Sequence, residues 1–256
     1  MNTLVQLPAR PADPLHKAAA AGVAVWLDHR HTPASAPAPR TDTGTEEGVR
    51  GHLLPGTPAL RPGAGPADLL AASAGGRAAT VGPVLSLAGY RRAMDTVLTA
   101  LEAAVTEGVP LPARPVAIEC SLPGIDTAVN AHLDLAGSWE AKAMRGLAAL
   151  AAAQLLYAAL ERDLGTERWS RLAVRGARAP YLLWSTTGFS VTADRSVHYA
   201  ERCLFPGTAV ALAPDALRRF RERGVVLGPT ALDTAEAQRV ADTLGWFGVR
   251  LGADGD

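Results

Sequence analysis

The sequence predicts an α/β fold, a truncated or irregular (β/α) barrel in which parallel strands alternate with helices. From residue 79 onward, short apolar runs alternate with longer segments of helical periodicity, the pattern of parallel strands joined by helices. The chain has 256 residues, 48% of them apolar, and about 250 residues is typical of one such barrel. We therefore expect residues 1–256 to form a single domain.

The predicted strands are short apolar runs, of which the first is VAVWLD at 23–28. The other predicted strands cover 79–85, 115–122, 181–187 and 207–213. The predicted helices cover 87–107, 126–136, 139–163, 214–223 and 233–246. Between the first two strands, residues of about 30–68 are rich in Pro, Gly, Ser and Thr and predict an irregular segment. In particular, we expect no regular strand within 32–50.

Composition and charge give no support for nucleic acid or a membrane as a partner, and they indicate a reducing compartment. The 25 basic and 25 acidic residues cancel, which gives no support for binding to nucleic acid or to an anionic membrane. Cys120 and Cys203 are too few for a disulfide framework, which indicates a reducing compartment. The N-terminus has no signal-peptide pattern, and the longest apolar run, 147–160, is too short to span a bilayer. We expect a soluble, cytoplasmic protein without a membrane partner.

Four sequence blocks resemble one enzyme family. They are AGVAVWLD at 21–28, ATVGPVLSLAGYRRAMD at 79–95, PVAIECSLPGIDTAVNAHLD at 115–134, and a last block within 164–217. In order and spacing they are similar to the actinobacterial branch of the transaldolases, which implies a TIM-type barrel of the transaldolase class. The resemblance also implies that the second and third barrel strands are missing. About six strands would remain, too few to close the usual barrel. A partner chain, as in a homo-oligomer, or an irregular wall from residues 30–60 would close the gap, or the barrel would stay open.

The reactive lysine of the transaldolases has no counterpart in this sequence. That family forms a Schiff base on the lysine of a Lys-Ile-Pro-Ala-Thr segment. Here HLLPGTPAL at 52–60 keeps the Pro-Ala pair, and Gly56 occupies the position of the lysine. The two lysines of the chain, Lys17 and Lys142, lie elsewhere. The resemblance therefore implies a transaldolase-like protein without transaldolase activity.

The alternation of side chains along barrel strands, combined with the resemblance, predicts an active site in the lumen. Asp28 matches the acid that ends the first family strand, and Glu119 replaces an inward serine. We interpret these two carboxyl groups as catalytic acid and base, because a carboxyl group in an apolar cavity has a raised pKa. The predicted substrate-binding residues are Thr80, Ser121, Trp184, Thr186, Ser190 and Leu212.

The groups that would hold a sugar phosphate are replaced. Gly124 stands where the family has a phosphate-binding arginine, and Ser190 stands in place of a second basic residue. Because a phosphate without a cationic partner loses its charge-assisted hydrogen bonds, the expected substrate is a non-phosphorylated, rather apolar small molecule. The predicted function is a repurposed enzyme of bacterial specialised (natural-product) metabolism. It would catalyse an acid–base cyclisation, isomerisation, dehydration or lyase step without a cofactor.

The alternative is a catalytically inactive pseudo-transaldolase that acts as a scaffold or binds a ligand. The two hypotheses predict different lumens. The enzyme hypothesis predicts a closed cavity lined by Val25, Val84, Trp184 and Leu212, whereas the scaffold hypothesis predicts a collapsed lumen and an exposed sheet edge.

The two carboxyl groups also have purely structural interpretations. Asp28 would either cap the loop that follows it or pair with Arg30. A shift of one residue in the strand would turn Glu119 toward the helices, where it would pair with an arginine.

A histidine-rich segment follows the first strand. His29 and His31 would lie on one side of an extended chain and could bind a metal together with Asp28 or His52. Two histidines without a further ligand at regular spacing are a weak signal, so we predict no metal site.

Overall fold

The computed structural model describes residues 13–30, 49–54, 59–74, 78–188 and 191–252. A sheet of seven strands lies at its centre. The strands are β1 (Ala24–Asp28), β2 (Val49–Leu53), β3 (Ala59–Leu60), β4 (Thr80–Val84), β5 (Ala117–Ser121), β6 (Tyr181–Ser185) and β7 (Ala209–Leu212). Their order is β2-β1-β7-β6-β5-β4-β3, and every neighbouring pair is parallel. The sheet curls into an incomplete α/β barrel of the TIM type, which confirms the predicted fold class.

Helices surround the convex face of the sheet. They are α1 (Pro14–Ala20), α2 (Pro66–Ser73), α3 (Leu87–Glu107), α4 (Leu122–Ala136), α5 (Trp139–Ala143), α6 (Ala148–Leu164), α7 (Glu167–Val174), α8 (Ala193–Arg202), α9 (Pro214–Arg223) and α10 (Thr234–Trp246). Hydroxyl groups fix several helix starts. Ser86, for example, accepts a hydrogen bond of 3.0 Å from the Gly89 N–H at the start of α3. None of the helices in the described part of the chain has both the length and the apolar character needed to cross a membrane.

The strands and helices predicted from periodicity are confirmed, and the differences have local causes. The predicted helix 139–163 is two helices, α5 and α6, because the chain turns at Gly146 with a positive φ of 76°. Four helices were not predicted from the sequence, namely α1, α2, α7 and α8. Of these, α2 lies inside the segment that we expected to be irregular.

Strand β2 corrects the prediction that only about six strands remain. It pairs with β1 in parallel, so the position beside the first strand is filled and the described sheet has seven strands. Val49 and Arg50 begin this strand, so the expectation of no strand within 32–50 is wrong at its end. Residues 32–48 lie outside the described residues. The pairing register between β1 and β2 shifts between Val25 and Trp26. This shift interrupts the alternation of inward and outward side chains in β2, which is the pattern that would have predicted a strand from the sequence.

The two faces of the sheet have different packing partners. The convex face joins the helices in the main hydrophobic core, which includes Leu27, Ile118, Trp184 and Val210. The concave face carries a small separate cluster, whose buried members are Leu53, Ala117, Leu183, Ala209 and Ala211. Residues paired between neighbouring strands share a face, so the pairing register identifies the side chains that point into the lumen.

Candidate functional site

A network of polar side chains lies at the carboxyl ends of three strands. Asp28 is the last residue of β1, Ser121 ends β5 and Ser185 ends β6. Barrel enzymes place their catalytic groups at this end of the barrel. We call this end of the sheet the mouth, and its polar network is the candidate functional site.

Arg30 connects the two predicted catalytic carboxylates. Its Nε and Nη2 donate to Asp28 Oδ1 and Oδ2 at 3.0 and 2.8 Å. Its Nη1 and Nη2 donate to Glu119 Oε2 and Oε1 at 2.9 and 2.6 Å. Such double contacts from a planar guanidinium are among the stronger hydrogen bonds in proteins. One arginine thus bridges β1 and β5 across the concave face.

Both carboxylates are removed from solvent. The side chains of Asp28 and Glu119 are 0% and 4% exposed, whereas Arg30 is 21% exposed. Burial would raise the pKa of the Asp28 carboxyl, but hydrogen bonds from Arg30 and Thr187 outweigh it and hold that pKa below its usual value. Burial would likewise lower the pKa of the Arg30 guanidinium, and the two carboxylates instead raise it. The expected raised pKa is therefore wrong for Asp28, which is ionised near neutral pH.

Hydroxyl groups extend the network. Thr187 donates a hydrogen bond of 2.6 Å to Asp28 Oδ2, and the hydroxyls of Thr187 and Ser185 lie 3.3 Å apart. From the sequence, Arg30 was predicted only as a partner of Asp28, and Thr187 was not predicted. The available signal for Arg30 was its position two residues after Asp28, which places the two side chains on one side of an extended chain.

Glu119 points into the lumen, as predicted. It pairs in register with Leu183, a member of the concave cluster. Gly82 on β4 lies against it with a φ of 153°, and a Cβ at Gly82 would lie 2.6 Å from the Glu119 carbonyl oxygen. Only glycine permits this approach. Asp28 and Glu119 therefore share one interior, and their catalytic role stays a prediction.

Two predicted substrate-binding residues also lie at this face. Thr80 is 3% exposed and pairs with Ala117 of the concave cluster. Ser121 is half-buried, and its hydroxyl accepts a hydrogen bond of 3.2 Å from the Gly124 N–H at the start of α4. Ser121 therefore caps a helix at the edge of the mouth.

Three other predicted substrate-binding residues belong to the convex face, so their placement in the lumen is wrong. Trp184 pairs with Cys120 and donates its indole N–H to Thr208 at 3.1 Å. Thr186 donates to the Ala211 carbonyl at 2.7 Å. Leu212 lies in the main core.

The physical reason is alternation. Because Glu119 faces the lumen, its neighbour Cys120 and the paired Trp184 must face the helices. Val25 and Val84, expected in the same cavity wall, also lie in the main core. Ser190 lies outside the described residues.

The histidines and lysines hold no metal or Schiff-base site in the described part of the chain. His29 and His52 stack with ring centroids 5.7 Å apart, and His31 lies outside the described residues. Among the residues that the structure describes, no group of three His, Cys, Asp or Glu residues is arranged to hold a metal ion. Lys17 and Lys142 are exposed on α1 and α5, and Gly56 lies outside the described residues.

Comparison with known proteins agrees with the barrel architecture. No protein-family model matches the chain. Three actinobacterial proteins show its relationship at the sequence level. Transaldolase 2 of Streptomyces coelicolor is 33% identical over 61% of the chain and 42% of its own length. The transaldolase of Mycolicibacterium smegmatis is 32% identical over 79% of the chain and 54% of its own length. The transaldolase of Thermobifida fusca is 33% identical over 67% of the chain and 46% of its own length.

The chain spans about half the length of the curated relatives it matches. The fold is the incomplete barrel described above. The chain is therefore a transaldolase-like protein, similar to actinobacterial transaldolases over about half of their length.

Proposed function

We propose that this transaldolase-like protein is a catalytically inactive relative that acts as a scaffold or binds a ligand. The observation that carries this proposal is the bridge that Arg30 makes between Asp28 and Glu119. This bridge engages the two carboxylates that an acid–base mechanism would need.

A carboxyl group that acts as general acid or base needs an oxygen atom that can exchange a proton with the substrate. It also needs a pKa near the working pH. All four carboxylate oxygens of Asp28 and Glu119 already accept hydrogen bonds from Arg30. The pKa of Asp28 is also moved away from neutrality, because the bonds from Arg30 and Thr187 favour its ionised form. The network has the character of a structural ion cluster.

The packing of the lumen agrees with a scaffold. Five buried side chains fill part of the concave face, namely Leu53, Ala117, Leu183, Ala209 and Ala211. Among the described residues, β2 and β3 each pair with one strand only and form the two edges of the sheet. The scaffold hypothesis predicts a collapsed lumen and an exposed sheet edge, and both the partly filled lumen and the two edges of the described sheet are in its favour. A second copy of the chain is one partner that would suit these edges.

A second candidate is the acid–base enzyme of specialised metabolism, and one observation favours it. The network lies at the carboxyl ends of the strands, where barrel enzymes hold their substrates. Arg30 is 21% exposed, so a ligand that drew its guanidinium aside would free Glu119 for proton transfer. The substrate would be a non-phosphorylated, rather apolar small molecule that undergoes cyclisation, isomerisation or elimination.

Carbon-13 NMR of the aspartate carboxyl groups distinguishes the two candidates. The Asp28 resonance is assigned by comparison with Asp28→Asn. We expect it to stay unchanged from about pH 5 to pH 8, because its pKa is lowered. A titration of Asp28 within that range would favour the enzyme.

A trapping experiment addresses the family reaction itself. The protein is incubated with fructose 6-phosphate and borohydride and then analysed by peptide mass spectrometry. We expect no adduct, because Lys17 and Lys142 are exposed on helices outside the lumen. A specific adduct on either lysine would contradict the proposal.

A further inference from the structure

A cavity lies outside the lumen. It has a volume of about 970 Å³ and lies between the loop after β4, the first turns of α3, the α4 helix and the segment after α10. Pockets for single small molecules have volumes of roughly 300–1,000 Å³. The cavity is therefore large enough for one ligand of ordinary size.

Aliphatic side chains form part of its wall, and the most exposed of the large ones is Leu85 at 46%. Val84, Ile125, Val129 and Leu251 line the cavity, and all four are buried in the main core. Because these side chains are held by the core, the apolar surface is formed before any ligand arrives. Such a surface suits a hydrocarbon or an aromatic ring.

The segment after α10 is fixed in place by hydrogen bonds to both neighbouring helices. The Leu87 N–H, at the start of α3, donates to the Leu251 carbonyl at 3.0 Å. His132 Nε2 on α4 lies 2.7 Å from the Phe247 carbonyl oxygen, to which it donates. The wall that this segment provides is therefore a defined part of the fold.

Two arginines give the rim a positive charge. Arg61 follows β3 and Arg250 lies in the segment after α10, and both line the cavity. No Asp or Glu is among the described residues of its lining. Within the described part of the chain, no carboxylate forms an ion pair with Arg61 or Arg250. This local excess contrasts with the zero net charge of the whole chain.

We propose that this cavity binds a small organic anion with an apolar body and a carboxylate or phosphate head. The body would lie against Leu85, Val129 and Leu251, and the head would accept hydrogen bonds from Arg61 and Arg250. Guanidinium groups suit both heads, because they donate two parallel hydrogen bonds to a carboxylate or a phosphate. The site is separate from the lumen and does not depend on the function proposed for the lumen.

Calorimetric titration with three naphthalene probes tests the charge requirement. The probes are 2-naphthoate, 2-naphthyl phosphate and the neutral 2-naphthalenemethanol. We expect both anions to bind and the neutral compound to bind at least about tenfold more weakly, since a charge-assisted hydrogen bond contributes at least that factor. Comparable binding of the neutral probe, or no binding of either anion at millimolar concentration, would overturn the proposal.

Variants locate the site. Arg61→Gln/Arg250→Gln should weaken naphthoate binding at least about tenfold. The matched control Arg171→Gln/Arg175→Gln removes two arginines of α7 and its end, outside this cavity, and should leave binding unchanged. Ala128 is an exposed residue of the lining on α4, so Ala128→Trp should fill the cavity and abolish binding without disturbing the core. Equal weakening in the control pair, or full binding by Ala128→Trp, would place the probe elsewhere and refute the site.

Discussion

Arg30 and Glu119 are 89 residues apart in the chain, yet they share hydrogen bonds of 2.9 and 2.6 Å across the concave face of the sheet. Arg30 follows β1 and Glu119 lies on β5, and strands β7 and β6 lie between these two strands. The same guanidinium holds Asp28, so three charges at the mouth form one unit. Within the described residues the sheet does not close on itself. This unit connects β1 to β5 across the two strands between them.

The first prediction concerns the loss of the arginine. Arg30→Met leaves two buried carboxylates without their cation, which should lower the free energy of unfolding by about 3–5 kcal/mol. Urea denaturation measures the change. The control Arg171→Met removes an exposed ion pair with Glu167 and should cost less than about 1 kcal/mol. Equal effects of the two substitutions would show that the bridge does not stabilise the fold.

The second prediction concerns pH. The pKa of Asp28 in the folded protein lies below its usual value of 3.8, so the unfolded chain takes up this proton first as the pH falls. The stability that Asp28 contributes is therefore complete above that usual value and is lost as the pH falls through the folded pKa. Urea midpoints measured between about pH 5 and pH 2.5 should fall less steeply for Asp28→Asn than for the unmodified chain. Parallel pH dependences would refute the lowered pKa.

The third prediction concerns another buried carboxylate, Asp126 on α4. It accepts hydrogen bonds from the Ala149 N–H at 2.9 Å, from Arg195 at 2.8 Å and from the Tyr199 hydroxyl at 2.6 Å. These bonds join α4 to α6 and α8. Asp126→Ala should lower the free energy of unfolding by about 3 kcal/mol, because several charge-assisted bonds are lost at once.

The matched control lies on the same helix. Asp134→Ala removes a carboxylate that is 48% exposed and pairs with Arg145, so it should cost less than about 1 kcal/mol. Chemical denaturation of the two variants gives the comparison. A smaller loss for Asp126→Ala than for Asp134→Ala would contradict the role assigned to the buried network.

The fourth prediction separates the two faces of the sheet. Trp184 is 0% exposed and packs on Phe205 behind the sheet, so Trp184→Ala should cost about 3–5 kcal/mol. Trp246 is 83% exposed, and Trp246→Ala should change stability by less than about 0.5 kcal/mol. Thermal denaturation measures both. If the Trp184→Ala variant were stable but lost ligand binding, the assignment of Trp184 to the convex face would be contradicted, and the predicted position in the lumen would be supported.

Much of the fold could be predicted from the sequence because its central elements are periodic. The helix α3 was predicted with the bounds Leu87–Glu107, since its apolar stripe is long and a glycine follows it. Strand β2 could not be predicted in this way. It contains an arginine, a glycine and a histidine, and its register with β1 is irregular. It is a strand because it pairs with β1, which is a tertiary cause.

The candidate site was predicted in part for a similar reason. The positions of Asp28 and Glu119 follow from the family resemblance combined with strand alternation, and the structure places both in the lumen. Trp184 was misplaced because the register between β5 and β6, which pairs it with Cys120, is not visible in one sequence. The bridge by Arg30 depends on a contact across 89 positions, which local patterns do not encode. The expected raised pKa of Asp28 is reversed by the hydrogen bonds that Arg30 and Thr187 donate to it.

The most direct test of the central claim is a double-mutant cycle between Arg30 and Glu119. The free energies of unfolding of the unmodified chain, Arg30→Met, Glu119→Gln and the double variant are measured in urea. The bridge predicts that the two substitutions together cost less than the sum of the single costs, with a coupling energy of about 1–3 kcal/mol. Additive costs, with a coupling energy near zero, would show that the guanidinium does not hold Glu119, and the acid–base hypothesis for the lumen would then regain its basis.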